Sequence, residues 1–117
     1  MNPDLQADIL SVGDEVVAGE VTDSNAAWLS RRLGELGIDV VSHRAVRDEE
    51  SEIVEATATA AARSDLVIIT GGIGPTHDDR TREAVARAAG RDLAIDQRAL
   101  EHVESIFVAH GREMPPS

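Results

Sequence analysis

Cysteine is absent from the chain, which excludes a disulfide framework, a thiol nucleophile and any cysteine-ligated zinc site. Tyrosine is absent too, and Trp28 and Phe107 are the only aromatics, so the core has to be built from valine, isoleucine, leucine and alanine. Lysine is missing as well: all 11 basic residues are arginine, against 22 acidic ones, for a formal net charge of −11. A surface this acidic repels nucleic-acid backbones and anionic lipid, so neither is an expected partner. An anionic small molecule would need positive field focused locally, by amides, arginine or a metal. The acidic, lysine-free composition resembles that of proteins from salt-adapted organisms with GC-rich genomes. No apolar run approaches the length that spans a bilayer. Met1 to Asp8 lacks the basic start and apolar stretch of a signal peptide, so the expected location is cytoplasmic.

What is present is a regular alternation of strand and helix signals. The 117 residues suffice for one domain with a three- or four-strand sheet. Ala7 to Val12 reads as a first strand, followed by a loop with Gly19. Asp23 or Ser24 then caps a helix whose apolar positions Ala26, Leu29, Leu33 and Leu36 recur at helical spacing, with Gly37 as its stop. Ile38 to Val46 is a second strand. A second helix, opened by Asp48 or Ser51, carries Ile53, Val54, Ala58 and Ala61 as its expected inner face. Leu66 to Thr70 has the short β-branched pattern of a fully buried parallel strand. A third helix runs from Glu83 to Ala89, with Ala84, Val85 and Ala88 as its apolar stripe between exposed Arg82 and Arg87. Leu93 to Ile95 reads as extended. A fourth helix, from Asp96 to about His110, has Leu100, Val103, Ile106 and Phe107 as its expected inner face. This order predicts an α/β fold, three-layer α/β/α, with a parallel doubly wound sheet of order 2-1-3.

That strand order places the functional candidates. Ligands of open α/β sheets sit outside the carboxyl ends of the strands, where the chain switches direction. The loops Gly13-Asp14-Glu15 and Gly71 to Asp79 would then flank one crevice, which also collects Asp48 after strand 2. Glycines at Gly71, Gly72 and Gly74 let backbone amides close on a phosphate, and the next helix N-terminus favours negative charge. The plain alternative is a tight strand-to-helix turn with no ligand. The run matches neither the P-loop, whose lysine is missing, nor the G-x-G-x-x-G dinucleotide fingerprint. Asp78 and Asp79 are adjacent, so one side chain can cap the helix while the other faces the crevice. Asp14 and Glu15 read either as ligand-facing or as exposed loop charge, Asn25 and Thr81 as caps, and Glu83 as a first-turn acid. His43, His102 and His110 read as surface, and Trp28 as a core or subunit contact. Ser11, Ser30 and Ser51 lack a nucleophile-elbow setting, so acyl transfer has no support.

The strings Gly13-Asp14-Glu15-Val16-Val17-x-Gly19, Asp23-Ser24-Asn25-Ala26-Ala27-Trp28-Leu29, Val46-Arg47-Asp48 and Thr70-Gly71-Gly72-Ile73-Gly74-Pro75-Thr76-His77-Asp78-Asp79-Arg80-Thr81 together resemble the molybdopterin-binding (MoaB/Mog-like) domain. Within that superfamily the chain looks most like the N-terminal domain of the competence/damage-inducible (CinA) proteins, from about Ile9 to Pro115. The resemblance implies that Asp79 and Asp48 are the catalytic and metal-binding pair. It implies that Gly13, Asp14, Glu15, Asn25, Thr70, Gly71, Gly72, Gly74, Pro75, Asp78 and Thr81 line a nucleotide or pterin pocket. The implied cofactor is a divalent metal, Mg2+ or similar, with K+ as an optional second ion, and the resemblance specifies no organic cofactor. The implied chemistry is hydrolysis of a nucleotide pyrophosphate such as ADP-ribose, or adenylylation of molybdopterin. A non-catalytic oligomeric module is the third reading, and a homo-oligomer, dimer or trimer, is the implied assembly. Arg47 stands where CinA-like sequences usually have glycine. The family continues with a further strand, so the fold expected of residues 1–117 lacks the family's last strand.

Overall fold

The computed structural model describes residues 5–20, 22–74 and 79–113. In chain order the elements are β1 (Gln6–Val12), α1 (Asp14–Val17), α2 (Ser24–Glu35), β2 (Asp39–Val46), α3 (Glu50–Arg63), β3 (Leu66–Thr70), α4 (Thr81–Ala89) and α5 (Gln97–Ala109). The three strands form one parallel sheet in the order β2-β1-β3, as the sequence pattern predicts. β1 is the central strand and is buried from Ala7 to Val12. Its alternate residues serve two faces. Ala7 and Ile9 meet Ala26 and Leu33 of α2 on one side, while Leu10 and Val12 meet Val46 and the Ile53, Ala56 and Ala60 stripe of α3, with Ala84 of α4, on the other. The register of β1 against β2 shifts between Ala7 and Asp8. This bulge keeps Asp8 opposite Ser42, and buried Asp8 receives a two-pronged hydrogen bond from Arg63 at the end of α3.

Helix starts follow local chemistry. Asp23 caps α2, its Oδ1 accepting from the Ala26 amide at 3.1 Å, and Asp96 caps α5 through the Ala99 amide at 2.9 Å. Several expectations need correction. The segment after β1 is not a plain loop but contains the single-turn helix α1. The buried face of α3 is Ile53, Ala56, Thr57 and Ala60 with half-buried Val54, whereas Ala58 and Ala61 are exposed. The helix register slides by one residue because the 53, 56, 57, 60 stripe faces the sheet. β3 is only half-buried, since it pairs with β1 alone among the described residues and therefore lies at the sheet edge. α4 starts at Thr81 rather than Glu83, and Thr81 is buried inside its first turn.

The fourth predicted helix forms as α5 but buries none of its residues. Val103 and Ile106 of its expected inner face are 41% and 45% exposed. Leu93 and Ile95, read as extended, lie exposed in a connecting segment, and Trp28, 55% exposed, is not a core residue. None of the described helices is long and apolar enough to cross a membrane.

Candidate functional site

The carboxyl ends of β1 and β2 meet through the loops that follow them. Gly13 ends β1 by donating its amide to the Val46 carbonyl at 2.8 Å, and its own carbonyl accepts from Val16 and Val17 to start α1. Asp14 is thereby turned toward the loop after β2, where its Oδ1 accepts the Asp48 amide at 3.0 Å. Asp48 in turn accepts the Arg80 amide at 3.3 Å. A carboxylate from β1's loop, one from β2's loop and the start of α4 are joined in this chain of bonds.

The glycine loop reaches the same place from β3. Gly71 and Gly72 have φ of 86° and 64°, a left-handed backbone that favours glycine. A Cβ on Gly71 would overlap the Val12 carbonyl oxygen, and one on Gly72 would overlap the Thr81 hydroxyl. Both glycines are bound to the start of α4: Thr81 donates its amide to the Gly72 carbonyl at 3.0 Å and its hydroxyl to the Gly71 carbonyl at 2.7 Å. Gly74 lies against Asp79, where an added Cβ would stand 2.8 Å from Oδ2.

Asp48 sits in a tense electrostatic position. Burial pushes its carboxyl above the ordinary value, and the nearby Asp79 and Asp14 carboxylates push the same way, against the Arg80 amide and guanidinium. A cation between Asp48 and Asp79 would relieve that repulsion. Among the described residues no group of three or more acidic or histidine side chains is set to hold a metal ion. Two carboxylates suit Mg2+, which keeps most of its shell as water and phosphate oxygens.

The structure divides the expected single crevice in two, and α1 contributes to both, Asp14 to one and Glu15 and Val16 to the other. The larger cleft, about 540 Å3, is lined by Asp14, Arg47, Asp48, Glu49, Glu50, Ser51, Arg80 and Arg87. The smaller, about 270 Å3, takes Glu15, Asn25, Thr70 and Gly71 together with Ser11, Thr22, Asp23 and Ser24. Asp14 and Asp48 therefore share one cleft, while Glu15, Asn25, Thr70 and Gly71 share the other. Asp79 lines neither, although its charge reaches Asp48. Gly13, Gly72 and Thr81 line neither; Thr81 lines a separate cleft with Val67, Ile69 and Val85. Pro75 and Asp78 lie outside the described residues.

The sequence did not point to Arg80, Arg87 or the α3 start as cleft walls, nor to His43. The His43 Nε2 stands 3.0 Å from Ser11 Oγ and 2.9 Å from Asp23 Oδ2. Burial alone would raise the Asp23 carboxyl, but hydrogen bonds from Ser11, the Ala26 amide and His43 outweigh it and hold it below the ordinary value. Both contacts fall on one ring nitrogen, so this is not a relay through the imidazole. The bulge between Ala7 and Asp8 pairs His43 with Ile9 and so puts it on the α2 face with Val40 and Ser11, which strict alternation from Val40 does not predict.

The family described as a probable molybdopterin binding domain matches residues 8–114. A CinA-like protein of Chlorobium luteolum is 46% identical over 112 residues, covering 96% of this chain and 26% of its own length. A putative competence-damage inducible protein of a Geobacillus strain is 44% identical over 110 residues, covering 94% of this chain and 26% of its own length. The chain thus spans about a quarter of the length of these curated relatives. Among solved structures, CinA of Thermoplasma acidophilum, described as of unknown function, superposes with a TM-score of 0.83 at 35% identity, covering 97% of this chain and 66% of that one. The molybdopterin biosynthesis enzyme MoaB of Thermus thermophilus superposes with a TM-score of 0.67 at 29% identity, covering 71% of this chain and 54% of that one.

Proposed function

Because the chain belongs to the family of probable molybdopterin-binding domains, we propose that its larger cleft binds a phosphoanhydride and that the domain hydrolyses a nucleotide pyrophosphate such as ADP-ribose. The observation that carries this reading is the meeting of Asp14 and Asp48 in a cleft that also holds arginines, with the Asp79 carboxylate near enough to raise the Asp48 carboxyl. Asp48 and Asp79 would hold a divalent cation, which supplies positive charge for the phosphoryl oxygens and eases deprotonation of water. Asp14 fixes the Asp48 backbone through its amide and so orients the Asp48 carboxylate. The glycine loop, bound to α4 by Thr81, carries Asp79 to its position. Water adds to one phosphorus, the bridging P–O bond breaks, and AMP and ribose 5-phosphate leave.

Phosphorus NMR of ADP-ribose incubated with the chain and Mg2+ tests this. Loss of the pyrophosphate signals with AMP appearing is the expected result, abolished in Asp79→Asn with the fold intact. An unchanged spectrum with the wild-type chain overturns the hydrolase reading, and undiminished turnover in Asp79→Asn removes Asp79 from the mechanism. A second reading, adenylyl transfer to molybdopterin, is supported by the likeness to a MoaB enzyme of molybdopterin biosynthesis. ATP-dependent adenylylation of molybdopterin with ADP-ribose left intact would favour it. The exposed Trp28, Val103 and Ile106 support a homo-oligomer, which light scattering reads directly.

A further inference from the structure

The larger cleft gathers arginines in an acidic chain, beside the acids Asp14, Asp48, Glu49 and Glu50. With a net charge of −11 and 11 arginines in all, three of them, Arg47, Arg80 and Arg87, line one cleft of about 540 Å3. They arrive from three different places: the loop after β2, the residue before α4 and the last turn of α4. Two are held by glutamates at the start of α3. Arg47 Nη2 pairs with Glu52 at 2.6 Å and Glu49 at 3.5 Å, and Arg87 Nη1 pairs with Glu50 at 3.2 Å. Each of these pairs engages one guanidinium nitrogen, which leaves further N–H donors for a ligand. The Arg80 guanidinium is near enough to Asp48 to oppose the rise of its carboxyl. The start of α3 is acidic, with Glu50 and Glu52 in its first turn, so the arginines are the positive groups of this wall.

The cleft therefore has two kinds of lining. Asp14, Asp48, Glu49 and Glu50 repel a bare anion, and the first two suit a cation, whereas the guanidiniums match phosphate oxygens in forked geometry. A single phosphate satisfies one kind of wall. A diphosphate carries enough oxygens to reach both, and the volume suits a ligand of that size with a sugar attached.

We propose that Arg47, Arg80 and Arg87 form a clamp for the second phosphate, which makes the cleft select diphosphates over monophosphates. The proposal rests on the reading of this cleft as the phosphoanhydride site, but it concerns recognition and needs no turnover to be tested.

Calorimetric titration with inorganic pyrophosphate and with inorganic phosphate, both with Mg2+, is the test. The wild-type chain binds pyrophosphate at least roughly 10-fold more tightly than phosphate, as added charge-assisted bonds imply. Arg47→Ala, Arg80→Ala and Arg87→Ala each weaken pyrophosphate roughly 5- to 20-fold and phosphate less than about 2-fold, while Arg31→Ala on α2 changes neither. Exposed ion pairs contribute little stability, so the variants keep melting temperatures close to wild type. Equal affinity for the two anions, or variants that weaken both alike, overturns the clamp. Arginine-dependent pyrophosphate binding without ADP-ribose turnover upholds the clamp and removes the hydrolase reading. ADP-ribose turnover whose KM is indifferent to all three substitutions upholds the hydrolase reading and removes the clamp.

Discussion

Removing the Arg63 side chain should cost the fold about 2 to 3 kcal/mol at neutral pH, and the cost should fade in acid. Asp8 has no exposed side-chain surface, yet it sits in the central strand. Arg63 spans its carboxylate, Nη2 to Oδ1 at 2.6 Å and Nε to Oδ2 at 3.1 Å, and reaches Ser42 Oγ at 2.8 Å. The Ser64 hydroxyl also donates to Asp8. The Arg63 guanidinium holds the Asp8 carboxyl at about 2 against an ordinary 3.8, with Ser64 and Ser42 helping and burial opposing. At about 1.4 kcal/mol for each tenfold in proton affinity, that depression is worth about 2 kcal/mol. The group's folded value is lowered, so its stabilisation is present above pH 3.8 and is lost as pH falls toward 2. In Arg63→Ala the buried carboxylate loses its guanidinium and its pKa rises, so protonation relieves the variant while it penalises the wild type. Urea denaturation followed by far-UV circular dichroism at pH 7 and at pH 2.5 measures the difference. The gap should be about 2 to 3 kcal/mol at pH 7, near 10 °C in Tm for a domain this size, and should shrink by more than half at pH 2.5. A gap independent of pH, or one below about 0.5 kcal/mol at neutrality, would refute the assignment of this pair as the pin between β1 and α3.

Gly71→Ala drives a Cβ into the Val12 carbonyl at a positive φ and should cost about 2 to 4 kcal/mol in urea titrations. Gly90→Ala, at φ 65° with nothing within 4 Å of the added Cβ, should cost only about 1 kcal/mol; equal costs would mean that the close approach at Gly71 does not matter. Asp14→Ala removes the acceptor of the Asp48 amide. It should lower ADP-ribose turnover roughly 10- to 100-fold with little change in Tm, as loss of an orienting bond does, and unchanged kcat would free Asp48 from that support. Asp23→Ala deletes the α2 cap and the partner of His43, and should lower stability by about 1 kcal/mol by thermal melting.

By itself the sequence determined the sheet and its order. The apolar alternation of Ala7 to Val12, the helical spacing of Ala26, Leu29 and Leu33, and the glycines at element ends are local signals, and crossover rules then leave few topologies. The same local signals placed Asp14, Asp48 and the glycine loop at the carboxyl ends of the strands. What only the tertiary structure decided is which side chains share a space. α1 is one turn long, too short for any periodic signal, yet it sends Asp14 to the cleft of Asp48 and Glu15 to that of Asn25, Thr70 and Gly71. Arg80 and Arg87 belong to the cleft because α4 packs beside α3, a contact between segments some thirty residues apart that no local pattern encodes. His43 is exposed, as the sequence reading has it, but its contacts with Ser11 and Asp23 join different elements and no local pattern encodes them. The apolar stripes of β3 and α5 promised burial, but periodicity records only that a face is apolar. Whether it is covered depends on what the rest of the fold brings against it.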